Sequence, residues 1–162
     1  MPVLVSDISV LIDLDRANLL EHLFQLPHDF CVPDLLFKRE LSGDLGDRLR
    51  KLGLDVVDLF PKEVARATSL RRNFKVLSTP DTFAFSVAEA RRWALLTEDL
   101  ALRRLAEQHG VEMLGLLWII EEFELKGVVE ARSLYRALTE IHARPRCRLS
   151  SPDVEPILAR LV

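Results

Sequence analysis

The sequence predicts an α/β fold built on a central, mostly parallel sheet of about five strands with helices on both faces. Three observations predict it. Short apolar runs recur without polar alternation, as in strands buried on both faces. Each run is followed by a longer segment with helical apolar spacing. Gly and Pro fall mostly at the junctions, as alternating strands and helices require.

The elements follow in order. Val3-Leu4-Val5 forms the first strand and reaches Asp7, and apolar residues resume at Ile8, Val10, Leu11 and Ile12 to open a helix. Leu19 to Phe24 keeps helical spacing and ends near Pro27. Phe30-Cys31-Val32 is a second strand, stopped by Pro33, and the segment Asp34 to Leu41 reads as a helix with Asp34 as its N-cap. Asp47 to Leu52 is a short helix closed by Gly53. Leu54 to Leu59 is the third strand, and Pro61 opens a helix bearing Lys62, Arg66, Arg71 and Arg72. Ser78-Thr79-Pro80-Asp81 precedes a helix running to about Trp93. Ala94 to Thr97 is the fourth strand. Leu100 to His109 is a helix closed by Gly110, Val111 to Leu114 the fifth strand, and Gly115 to Leu125 a helix ended near Gly127. Two further helical stretches run from about Glu130 to His142 and from Ser151 to Leu161.

Composition bounds the function. A chain of 162 residues reads as a single domain, 1–162, large enough for a sizeable core. A net charge of −3 excludes a general polycation, so nucleic-acid contacts must come from local basic patches. The apolar stretches are far shorter than a membrane span, and no secretory leader is visible. The two cysteines, Cys31 and Cys147, lack zinc or CxxC spacing, so the expected setting is a reducing cytoplasm without disulfides.

The acids at element junctions carry the chemical signal. Asp7 and Asp99 each follow a strand and precede a helix, and in a parallel sheet such turns open on one edge, where ligands bind. Asp7 equally fits a plain helix cap, and its own neighbourhood does not choose between the two roles. Asp81 lies at the start of a helix, and Glu40 lies on the helix after strand two. Four carboxylates converging on one crevice raise one another's pKa unless cations offset them. Mg²⁺ or Mn²⁺ suits an all-oxygen donor set and can assist phosphodiester hydrolysis. The lack of a His- or Cys-rich cluster disfavours zinc.

These pieces resemble the PIN domain of VapC-type toxin ribonucleases. The resemblance rests on Val5-Ser6-Asp7-Ile8-Ser9-Val10-Leu11-Ile12, on Val32-Pro33 with Glu40-Leu41, on Thr79-Pro80-Asp81, and on Leu95-Leu96-Thr97-Glu98-Asp99-Leu100-Ala101-Leu102. It covers about residues 2–126 as a core, with C-terminal helices at about 130–162. It implies a PIN-like three-layer sandwich and an Mg²⁺- or Mn²⁺-dependent endoribonuclease, the toxin of a toxin–antitoxin pair. Asp7, Glu40, Asp81 and Asp99 become the implied catalytic metal ligands, with Ser9 and Thr97 as small polar neighbours behind them. The implied partners are an RNA substrate, a small antitoxin and a second copy of the chain, with no membrane. The alternative is a catalytically inactive PIN-like module that binds RNA or protein. The segment Arg144-Pro145-Arg146-Cys147-Arg148 departs from the pattern.

Other residues read more plainly. Asp13 and Asp15 could extend the acidic cluster but better fit a solvated face or a cap, and Asp58 fits a cap. The basic residues of the Pro61 helix, Lys75, the pairs Arg91-Arg92 and Arg103-Arg104, and the segment Arg144 to Arg148 fit solvation or RNA backbone contact. Trp93, Trp118 and Cys31 fit the core. The apolar helices at Leu19 to Phe24 and Leu35 to Phe37 fit either core or a partner surface. A receiver-type domain would need paired acids after strand one and a lysine closing the last strand, where Leu114-Gly115 stands. A haloacid-dehalogenase-type phosphatase needs Asp-x-Asp, and Asp7-Ile8-Ser9 fails it.

Overall fold

The computed structural model describes residues 3–145 and 147–162; Arg146 of the basic C-terminal segment lies outside them. The described chain folds as β1 (Val3–Ser6), α1 (Ile8–Arg16), α2 (Leu20–Leu23), β2 (Asp29–Pro33), α3 (Asp34–Glu40), α4 (Asp44–Leu52), β3 (Asp55–Val57) and α5 (Pro61–Asn73). There follow α6 (Thr79–Arg91), β4 (Ala94–Leu96), α7 (Leu100–His109), β5 (Met113–Leu114), α8 (Leu116–Lys126), α9 (Ala131–His142) and α10 (Ser151–Leu161). All strand pairs are parallel, in the order β3-β2-β1-β4-β5.

Strand alternation splits the core into two layers. Leu4, Phe30, Val32, Ala94 and Leu96 face one side and pack with α1–α4 and α8–α10. Val5, Cys31 and Leu95 face the other and pack with α5–α7. A strand apolar on both faces demands this three-layer arrangement, because either face left bare would expose its row of Leu and Val. The chain winds from β1 toward β2 and β3, then crosses to β4 and β5. The winding reverses at the β1/β4 boundary, and a crevice opens there beyond the strand ends. The two strands stay in register up to the crevice: Ser6 lies opposite Leu96, and the Asp7 N–H donates to the Leu96 carbonyl at 2.9 Å.

Some local expectations need correction. Asp34 is the first residue of α3 and Pro33 is the cap; the Asp34 carboxylate accepts from the adjacent Leu35 N–H at 2.8 Å instead. Asp58 caps nothing: α5 is capped by Phe60, and the Asp58 carbonyl accepts from Arg91 Nη2 at 2.8 Å. α4 begins three residues earlier than read, at Asp44 after Gly43. Its Gly46 packs so tightly against the Leu41 carbonyl that a Cβ there would collide with it, which holds α4 against the end of α3. Leu19, Leu20 and Leu23 are fully enclosed core residues, and Leu36 joins them, so those faces of the two apolar helices are spent inside the molecule.

Candidate carboxylate site

Asp7 stands where β1 ends. It has extended backbone angles and caps α1, its Oδ1 accepting the Ser9 N–H at 2.9 Å. Its Oδ2 accepts from Thr97 Oγ1 at 2.9 Å. Capping and site roles are therefore compatible: the cap fixes the side chain, and the carboxylate still sits at the crevice. Thr97, fully buried after β4, also accepts the Asp99 N–H at 3.0 Å. One hydroxyl thus ties both strand-end acids together, orienting them as an outer partner orients a ligand. Ser9 contributes its backbone N–H to Asp7, and its side chain is exposed.

Asp99 caps α7, with Oδ1 accepting the Leu102 N–H at 3.0 Å. Its Oδ2 faces Arg148, whose Nη1 lies 3.3 Å away. Asp81 sits in the first turn of α6 in a reciprocal cap with Ser78: the Asp81 N–H donates to Ser78 Oγ at 3.2 Å, and the Ser78 N–H to Asp81 Oδ2 at 3.4 Å. Glu40 ends α3 with an exposed side chain.

The four acids share one electrostatic neighbourhood. Burial raises the Asp81 pKa above its ordinary 3.8, the Ser78 hydroxyl lowers it, and the charges of Asp7 and Asp99 raise it further. Burial raises Glu40 above 4.5, with the charges of Asp7 and Asp81 adding to it. Sequence reasoning thus names four acids that the fold brings within electrostatic reach of one another. Of the four, Glu40 is the one that is exposed. Among the described residues, no three His, Cys, Asp or Glu side chains close to metal-ligand separation. Asp7, Asp81 and Asp99 instead each accept local hydrogen bonds, from the Ser9 N–H and Thr97, the Ser78 N–H, and the Leu102 N–H. The donor set is all oxygen and repels itself, which fits a hard divalent cation.

Three neighbours of the acids lie outside the predicted ligand set. Arg148, on the segment between α9 and α10, reaches Asp99 across 49 positions of sequence. Glu98 is partly buried, and its Oε2 accepts the Leu116 N–H at the start of α8 at 3.2 Å. Its carboxyl lies where a Cβ on Gly115 would collide, so a side chain at 115 would push the Glu98 carboxyl aside. Burial raises its pKa above 4.5, against lowering by the Leu116 N–H. Asp13 is neither a cap nor a freely solvated residue: burial raises its pKa, and Arg144 stands 3.6 Å from Oδ1. Asp15 pairs with Arg48 at 3.0 Å on the surface. The basic helix α5 spends Arg66 on Glu89 at 2.9 Å. A Gly directly after a strand and an Arg cluster outside any motif were the available signals, but neither names its partner.

A family model described as PIN domain matches residues 3–162. The match reaches through α9 and α10, so the C-terminal helices belong to the matched region. No curated protein matches the chain.

Proposed function

The chain belongs to the PIN-domain family, whose members are generally nucleases, and on that premise we propose that it is an Mg²⁺- or Mn²⁺-dependent endoribonuclease, the toxin of a toxin–antitoxin pair. The observation that carries the proposal is the pairing of Asp7 and Asp99 through Thr97 at the sheet's reversal point, with the charges of both acting on Asp81. Asp7, Asp99 and Asp81 would hold the ion, and Glu40 would close the crevice from the α3 side. Such an ion supplies a Lewis acid for the phosphodiester and a lowered pKa for an attacking water. The chain's own part is positional. Thr97 and the Ser9 N–H fix the Asp7 oxygens, and the α7 N-terminus fixes those of Asp99. The toxin reading, with a small antitoxin and a homodimer, rests on the resemblance to VapC-type proteins.

A second reading, a PIN-like module that binds RNA or protein without cutting, is favoured by the Arg148–Asp99 ion pair, which places a protein cation on a candidate ligand. One experiment separates them. Purified protein is incubated with a mixed pool of structured and single-stranded RNAs, in Mg²⁺, in Mn²⁺ and in chelator, beside Asp7→Asn and Asp99→Asn. The nuclease reading expects metal-dependent cutting that both substitutions abolish. Cutting that survives both, or RNA binding without cutting, overturns it.

A further inference from the structure

Beside the carboxylate crevice lies a second concavity, a cleft of about 500 Å³ between α1, the start of α8 and the segment joining α9 to α10. Its floor is a helical stripe. Ser9, Ile12, Asp13 and Arg16 recur at the three- and four-residue spacing that puts side chains on one face of α1. Since Asp7 caps that same helix, the stripe leads away from the carboxylate centre turn by turn. Ile141 and Leu149 supply an apolar wall opposite. Arg148 belongs to both concavities: it lines the cleft and donates to Asp99 at 3.3 Å.

Two acids, two arginines and an apolar wall are an unusual combination for one cleft. A simple anion site would carry one sign of charge, and a site for a hydrocarbon would carry none. A nucleotide needs all three features: a flat face to pack, an edge of donors and acceptors, and a phosphate. The two carboxylates are not equivalent. Glu98 is already committed to the Leu116 N–H. Asp13, among the described residues, has only the looser 3.6 Å approach of Arg144 to its carboxylate. A carboxylate fork accepts two parallel N–H groups. Guanine presents such a pair, N1–H beside the exocyclic N2–H, on its Watson–Crick edge.

We infer that this cleft seats one nucleotide of an RNA strand next to the bond being cut. Asp13 accepts from a guanine edge, and Arg148 holds the phosphate between cleft and carboxylate centre. The position relative to the cut bond rests on the nuclease reading; the binding itself does not.

The test uses full-length Asp7→Asn protein, in which Asn keeps the helix cap. Fluorescence anisotropy follows short labelled RNAs with one guanine in an adenine background, the same strand with inosine, and all adenine. Inosine lacks only the exocyclic amine. Guanine is expected to bind about tenfold tighter than inosine, and adding Asp13→Asn should erase that difference. Arg148→Ala, at a side chain 52% exposed and so safe for folding, should weaken all three strands alike and reduce the salt slope by about one. Equal binding of guanine and inosine, a preference that survives Asp13→Asn, or no effect of Arg148→Ala each overturns the inference. If wild type cuts no RNA while the Asp13-dependent preference holds, the nuclease reading falls and the cleft stands. If wild type cuts without regard to base, the cleft falls and the nuclease stands.

Discussion

Helix α6 carries an acid in its first turn and a base in its last, and the two ends treat buried charge in opposite ways. At the C-terminal end, Arg91 grips Glu63 with two hydrogen bonds, Nε to Oε2 at 2.9 Å and Nη2 to Oε1 at 3.0 Å. The Phe60 N–H adds a third to Oε1 at 2.7 Å. The Arg91 guanidinium packs over the rings of Phe60 and Trp93, 5.0 and 5.1 Å from their centroids. Arg91 holds the Glu63 pKa below its ordinary range. At the N-terminal end, burial raises the Asp81 pKa, and the charges of Asp7 and Asp99 raise it further. A carboxylate compensated from every side is holding α5 to α6. A carboxylate raised by burial and by neighbouring carboxylates holds unfavourable charge that a bound cation would relieve. Carboxylates at the two ends of α6 thus shift in opposite directions, Glu63 of α5 downward against Arg91 and Asp81 upward at the crevice.

Neutralising one acid at each end should break the comparison most sharply. Asp7→Asn keeps the cap, because Asn caps as well as Asp, and removes one of the repelling charges. RNA cleavage is expected to fall by at least about a hundredfold, as befits loss of a ligand whose outer partners alone are worth ten- to a hundredfold. Its melting temperature should hold or rise, and Asp99→Asn should behave alike. A variant that loses both activity and stability would assign Asp7 a structural role only.

Glu63→Gln is the converse. It leaves Arg91 without its partner in a site where Glu63 is 1% exposed, and breaking a buried pair from one side costs about 3 kcal/mol. Urea denaturation should show that loss, while cleavage below the melting transition stays near wild type. Unchanged stability would mean that the pair contributes nothing to the α5–α6 junction.

This contrast also marks what the sequence could reveal. The strand-end acids were legible because a buried apolar run that stops at Asp has few other places to deliver it. The sheet was legible because its strands are apolar on both faces. The compensated end was not. Glu63 and Arg91 lie 28 positions apart, on two helices of ordinary polar composition, and nothing in their spacing announces a contact. Arg148 escaped for the same reason, since its partner is Asp99 and its segment has no periodicity. Asp13 was misjudged because helical position says which face it shares but not that the tail folds over that face. Ion pairs between distant elements depend on packing, which a linear pattern does not encode.

Thr97→Val sharpens the comparison at smaller scale. The hydroxyl donates to Asp7 and accepts from the Asp99 N–H, and valine keeps the shape while ending both contacts. Losing an outer partner of this kind is expected to cost ten- to a hundredfold in metal affinity or cleavage. Mn²⁺ titration by calorimetry checks it. An unchanged affinity would separate the two strand-end acids into independent residues.

The pH dependence of stability offers the subtlest test, because Glu63 and the crevice acids contribute with opposite sign. Glu63 has a lowered pKa, so the native state binds fewer protons there than the unfolded chain. Its contribution is present above the unfolded value of 4.5 and is lost as pH falls through the lower native one. Asp81 and Glu40 have raised values. Their contribution is full below the unfolded values of 3.8 and 4.5 and is lost as pH rises through the native ones. Removing the crevice acids with the double variant Glu40→Gln, Asp81→Asn should therefore flatten the decline in melting temperature above about pH 4.5. Removing Glu63 should leave that decline and take away the loss at the acid end. Protons also compete with the cation for the crevice, so the rise in melting temperature produced by Mn²⁺ should be larger at about pH 7 than at about pH 5. Scanning fluorimetry across pH, with and without Mn²⁺, reads all three slopes. An Mn²⁺ shift independent of pH would put the ion outside the crevice and leave its raised acids without a ligand to answer for them.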